Sequence, residues 1–163
     1  MIQRWIDAIR RNHGLEHATV AVMIARHGPR MLAGRASSDG FYILGGVDEA
    51  ELRSCAAEAL TRMQHGEPEL AVSPLCGTNI VVTGLITAAA AIAAVSLHGS
   101  SRPLRERFPN AVTAAMFGVV AAQPAGRLLQ RYVTTRGDLD DIEITGARSY
   151  AGGLKKITTR SRV

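Results

Sequence analysis

Between Ile80 and Leu97 lie eighteen consecutive residues with no charge. As a helix rising about 1.5 Å per residue, this run is about 27 Å long, close to the hydrocarbon thickness of a bilayer. A second uncharged run, Asn110 to Gly126, follows the loop Gly99 to Pro109, which carries three arginines and one glutamate. Gln123 and Pro124 weaken the second run, but a transmembrane helix tolerates proline where neighbours satisfy the released carbonyl. Gly84, Gly118 and many alanines allow two such helices to approach closely. A buried Ala-rich helix pair in a soluble core is the competing reading.

The flanking segments are ordinary mixed sequence. Ile9, His13, Val20 and Ile24 recur at helical spacing, so residues 3–27 are predicted helical, with a break near Asn12 as the alternative. His27-Gly28-Pro29 is a helix stop. Met31 to Gly34 and Phe41 to Gly45 read as strands around the Asp39-Gly40 turn. Residues 48–65 read as an amphipathic helix, with Leu52, Cys55, Ala56, Ala59 and Met63 on one face and acidic residues in the first turn. Glu69 to Val72 reads as a third short strand. Residues 142–148 alternate like a half-exposed strand, and 154–160 read as another strand or a frayed basic tail.

The expected fold is an α+β membrane protein. It comprises an N-terminal helix/hairpin/helix domain (1–78), a transmembrane helical hairpin (79–130) and a C-terminal segment (131–163) whose strand returns to the N-terminal sheet. The N-terminus has no apolar signal-peptide core, so the insertion signal is expected in the two runs themselves. The basic loop between the runs argues for placing that loop inside, but the arginines after the second run and in the N-terminal segment outweigh it and favour termini in the cytoplasm. The net charge of +5 is nearly all arginine and is scattered. No helix face is lined with Lys/Arg and no aromatics are interleaved, so nucleic acid is not an expected partner. The expected partners are the bilayer and a membrane-protein or peptide substrate, with self-association also open.

Chemistry is expected at His13-Gly14-Leu15-Glu16-His17. Residues i and i+4 project from one helix face, so two imidazoles can close on one metal ion. Zinc lowers the pKa of a bound water to about 7, and the neighbouring Glu16 carboxylate could take its proton. Cys76, in the turn-rich Ser73-Pro-Leu-Cys-Gly-Thr-Asn79 element, is the first candidate for a third ligand, with Glu58 and Glu51 as alternatives. Packed histidines, a buried cysteine and solvated glutamates are the plain readings of the same residues. Asp138, Asp140 and Asp141 could hold a cation or form an exposed acidic loop. His27, His65 and His98 are assigned no site role, because they fall at segment ends.

His13-x-x-Glu16-His17 resembles the motif of the inverzincin metallopeptidases, the insulysin and pitrilysin family. That resemblance implies His13 and His17 as zinc ligands and Glu16 as general base; it covers five residues. A broader resemblance rests on Asn12-His-Gly-Leu-Glu-His-Ala-Thr19, Ala33-Gly-Arg-Ala-Ser-Ser-Asp-Gly-Phe41 and Cys76-Gly-Thr-Asn79 with the apolar pair that follows. From about residue 10 to 145 the chain resembles an uncharacterised family of bacterial membrane proteins catalogued as a domain of unknown function. That likeness implies the membrane architecture, in a bacterial inner membrane, and no activity.

Overall fold

A computed structural model describes residues 1–97 and 103–162. His98 and the first residues of the loop between the two apolar runs lie outside the described residues. The fold is α+β, with four α-helices and one four-stranded antiparallel sheet among the described residues. The chain divides into two units, Met1–Ser73 with the residues from Arg131 onward, and Pro74–Gln130.

The first unit begins with helix α1, Ile2–His27, which runs without a break. Asn12 is not a cap. Its Nδ2 donates to the Ser37 carbonyl (2.8 Å), and its Oδ1 accepts from Thr159 Oγ1 (2.6 Å). Gly14 is helical and buried because backbone lies against it. A Cβ there would sit 2.3 Å from the Arg136 carbonyl oxygen, so close approach outweighs the propensity cost of glycine.

Strands β1, Ala33–Ser37, and β2, Gly40–Leu44, pair from Ser37↔Gly40 outward. The turn is therefore only Ser38-Asp39, and β1 lies further along the chain than the predicted Met31–Gly34. Helix α2, Glu49–Gln64, starts at Asp48, whose carboxylate accepts the N–H groups of Ala50 and Glu51, satisfying orphan donors of the first turn. Residues Pro68–Ala71 form a 3-10 turn, not the predicted third strand. Pro68 leads this turn, where its fixed φ suits a helical start and its missing N–H costs nothing.

The residues after Arg131 return to this unit as β3, Ile142–Ser149, and β4, Leu154–Ser161. The sheet order is β1-β2-β4-β3, so the second C-terminal segment is an interior strand and not a frayed tail. It separates β3 from the N-terminal hairpin. Phe41, Ile43 and Ile157 are fully or almost fully buried. They join Leu15, Val22, Met23, Leu52 and Ala56 in a core shared by sheet, α1 and α2.

The second unit is a pair of helices, α3, Gly77–Leu97, and α4, Leu104–Leu129. Arg105, Glu106 and Arg107, predicted in the loop, lie in the first turns of α4, which starts just after Pro103. A π-helical turn, Gln130–Thr134, continues α4. Gly77–Leu97 and Leu104–Thr134 are long and apolar enough to cross a membrane. The helices touch where side chains are smallest. A Cβ on Gly118 would lie 3.0 Å from the Thr87 Cα. At one end Gln130 Nε2 donates to Asn79 Oδ1 (2.8 Å), Asn79 Nδ2 donates to the Pro74 carbonyl (3.0 Å), and Gly126 leaves room for the Asn79 amide.

Candidate metal centre

Helical spacing places His13 and His17 on one face of α1, with ring centroids 4.4 Å apart and planes inclined by 60°. His17 is buried and His13 half-buried. Each ring is fixed by a backbone carbonyl. His13 Nδ1 lies 2.9 Å from the Thr134 oxygen, and His17 Nδ1 lies 2.7 Å from the Ala71 oxygen. A carbonyl can only accept, so Nδ1 is the protonated nitrogen in both rings. In the neutral ring the lone pair then sits on Nε2, the second-sphere pattern that orients metal-binding histidines.

Both carbonyls are held in place by local structure. Ala71 closes the 3-10 turn, and Thr134 closes the π-helical turn. The segment after α4 is also tied to α1 through Arg10, whose guanidinium donates to the Tyr132 oxygen (2.8 Å), while the Arg136 N–H donates to the Arg10 oxygen (3.0 Å).

Glu16 is buried beside the histidines in sequence, but its carboxylate is directed at β1. A Cβ on Gly34 would lie 1.9 Å from Glu16 Oε1, so only glycine leaves the carboxylate in that position. Glu51 and Glu58 are engaged elsewhere. Glu51 pairs with Arg30 (2.9 Å) and His27 (3.0 Å), and Glu58 pairs with Arg26. Arg26 is nine residues beyond His17, about 13 Å further along the helix, so neither glutamate is held at the histidine pair. Cys76 immediately precedes α3 in the second unit, and its sulfur accepts the Thr78 N–H (3.4 Å). His13 and His17 thus belong to the first unit and Cys76 to the second. Cys55 is a core residue whose burial pushes its thiol pKa up, keeping it protonated and a poor ligand.

Of the aspartates after α4, Asp138 and Asp141 form ion pairs. Arg11 reaches Asp141 (2.9 Å) and Asp138 (3.3 Å), and Arg136 bridges Asp138 (2.6 Å) and Asp7 (3.0 Å). His65 Nδ1 donates to the Thr61 carbonyl (2.7 Å) at the end of α2, away from any site. What sequence reasoning missed are the Ala71 and Thr134 carbonyls and the Asn79–Gln130 bond. Backbone acceptors carry no side-chain signature. An amide pair 51 positions apart leaves only two polar residues at the edges of apolar runs.

An α+β unit joined to an apolar helix pair, with a histidine pair on its first helix, is the class of protein these features define. The chain belongs to the family described as a domain of unknown function, DUF6391, whose model matches residues 8–147. This agrees with the resemblance read from the sequence. An uncharacterised protein of Picosynechococcus sp. is 38% identical over 136 residues, covering 78% of this chain and 65% of that protein's own length. No solved structure matches the chain.

Proposed function

We propose that this chain is a small integral membrane protein that binds zinc through His13, His17 and Cys76 and acts as a peptidase at the membrane surface. The observation that carries the metal reading is the paired Nδ1–H···O=C anchoring of the two histidines. A histidine that ligates through one ring nitrogen characteristically donates its other N–H to a backbone carbonyl or carboxylate, and both rings are held in that way. Two imidazoles and a thiolate suit zinc. Ala71, bonded to His17, is five residues before Cys76, so the chain itself limits how far the sulfur can lie from the pair. Zinc at such a site polarises a carbonyl and acidifies water. Glu16, adjacent on the helix, would accept the proton and return it to the leaving amine.

A second reading, a non-catalytic membrane subunit with a structural metal, is favoured by the direction of the Glu16 carboxylate toward Gly34. Metal analysis of the detergent-purified chain beside His13→Ala, His17→Ala and Cys76→Ala tests the site. Loss of stoichiometric zinc in all three supports it, and unchanged zinc in the histidine variants overturns it. Glu16→Gln then separates the readings. The peptidase requires zinc retained and peptide cleavage abolished, while absence of cleavage by the wild type across varied peptides leaves the structural role. Extraction of the chain from membranes by alkaline carbonate would refute the spanning helices.

A further inference from the structure

The first unit has an outer sheet face whose residues fall in two rows. Strand register aligns Arg35, Tyr42, Lys156 and Arg148 across all four strands. Two residues away, on the same face, Leu44 and Leu154 align, and the Tyr150 N–H donates to the Leu154 carbonyl (2.7 Å), which continues that row. Successive same-face residues are about 7 Å apart along a strand. A cationic row therefore runs parallel to an apolar and aromatic one. Lys156 lies 4.9 Å above the Tyr42 ring and pairs with Asp39. Arg35 and Arg148 have no carboxylate within 4.0 Å among the described residues.

The beginning of α1 adds to this face. Residues 1–6 are all exposed, so the helix overhangs the unit that packs its later turns. Ile2, Trp5 and Ile6 are 76%, 57% and 43% exposed, and their spacing puts them on one stripe. Trp5 and Ile9 form one wall of a groove of about 770 Å³, with Arg35, Tyr42, Leu44 and Leu154 on the other wall. The helix stripe and the two sheet rows therefore border a single concave surface.

We propose that this surface docks on an anionic bilayer. The apolar row and the Ile2–Trp5–Ile6 stripe would enter the boundary between headgroups and acyl chains, about 5–10 Å deep, and Arg35 and Arg148 would meet lipid phosphates. Tryptophan and tyrosine at that level match the chemistry of the interface, with one end of the ring apolar and the other wet. Charge complementarity selects this occupant over a second copy of the chain, whose face would present the same unpaired arginines. The inference rests on the membrane reading above, because the helix pair is what brings a bilayer to the domain.

Trp5 is the chain's one tryptophan, so its fluorescence reports this surface alone. The full chain is reconstituted into nanodiscs of phosphatidylcholine with or without phosphatidylglycerol, in parallel with acyl-brominated lipids. The expected result is blue-shifted emission quenched by brominated lipid, dependent on phosphatidylglycerol and reversed by salt. Arg35→Gln with Arg148→Gln, both exposed positions, should shift the docked equilibrium toward water roughly fivefold per arginine, with thermal melting unchanged. Water-like emission in every lipid, or a blue shift that follows protein concentration and not anionic lipid, overturns the proposal; the latter assigns the surface to self-association. Failure to incorporate into nanodiscs refutes the spanning helices. A chain that incorporates but shows unquenched Trp5 refutes the docking alone.

Discussion

Gly34→Ala isolates the most confined contact of the histidine helix. A Cβ at this position would lie 1.9 Å from Oε1, 2.5 Å from Cδ and 3.0 Å from Cγ of Glu16. Ordinary contact begins near 3.4 Å, so the carboxylate must withdraw by about 1.5 Å, far more than a hydrogen bond tolerates. Glu16 is 7% exposed, which leaves it little room to do so. Overpacking of this kind costs about 1–3 kcal/mol. For a domain near 100 residues each kcal/mol lowers Tm by about 4–8 °C. A double-mutant cycle read by thermal melting tests the origin of the cost. With Glu16→Ala as background the obstructing side chain is gone, and Gly34→Ala should be nearly neutral, a coupling of about 1–3 kcal/mol. On the proposed peptidase reading, peptide cleavage should fall with the displaced base while zinc content holds, because the three atoms nearest the inserted methyl all belong to Glu16. An equal melting shift in both backgrounds would refute the assignment of Glu16 to this pocket.

Three further outcomes follow from particular contacts. Gly126→Ala places a methyl 2.1 Å from Asn79 Oδ1 and should break its bond to Gln130, lowering helix-pair stability in detergent by about 1–3 kcal/mol; Gly84→Ala, which meets open space, should not. His17→Ala leaves the Ala71 carbonyl without its imidazole donor, so amide exchange around residues 70–73 should accelerate even in metal-free protein. Asp39 is held below its usual pKa by Lys156 and then Ser37, and Asp141 by Ser161, against burial, with Arg11 contributing. A depressed carboxylate stabilises the fold above its unfolded pKa and loses that contribution as pH falls through the folded value. Tm should therefore hold above about pH 4 and decline below it, with a shallower decline in Asp39→Asn.

The parts of this fold legible in the sequence are those set by local pattern. The length of α1, the extent of α2 and the two apolar helices each follow from spacing, stop signals or absence of charge, whereas Asp48, read as a first-turn acid, is the N-cap of α2. Long-range partners are not written locally. Ile157 and Thr159 are inward-facing residues of an interior strand, but Lys155, Lys156 and Arg160 around them give 154–160 the composition of a tail. The strand becomes interior only because Phe41 and Ile43, more than 100 positions away, pair beside it. Glu69-Leu-Ala-Val72 has strand-like composition, but Pro68 and the demand of His17 for the Ala71 carbonyl favour a tight turn. His13 and His17 were visible as a pair of ligand types. Their shared tautomer was not, because it depends on two carbonyls 54 and 121 positions distant.

Those two carbonyls also connect the histidines to the rest of the molecule. Ala71 belongs to the segment that enters α3, and Thr134 to the segment that leaves α4. One pair of side chains, a single helical turn apart, therefore binds the two stretches of the first unit that precede and follow the helix pair in the chain. A metal held by the two imidazoles would withdraw charge from the rings and make each Nδ1–H a stronger donor, so that occupancy and these hydrogen bonds would reinforce each other. On the proposed metal reading, linkage requires that anything pulling either stretch away would weaken the metal, and that removing the metal would loosen both stretches together. That expectation is shared by the catalytic and structural readings. Amide exchange at 70–73 and at 133–136, followed with and without zinc, should slow in both segments at once on binding. Protection of one segment alone would show that the two histidines act as separate structural bonds and not as ligands of one ion.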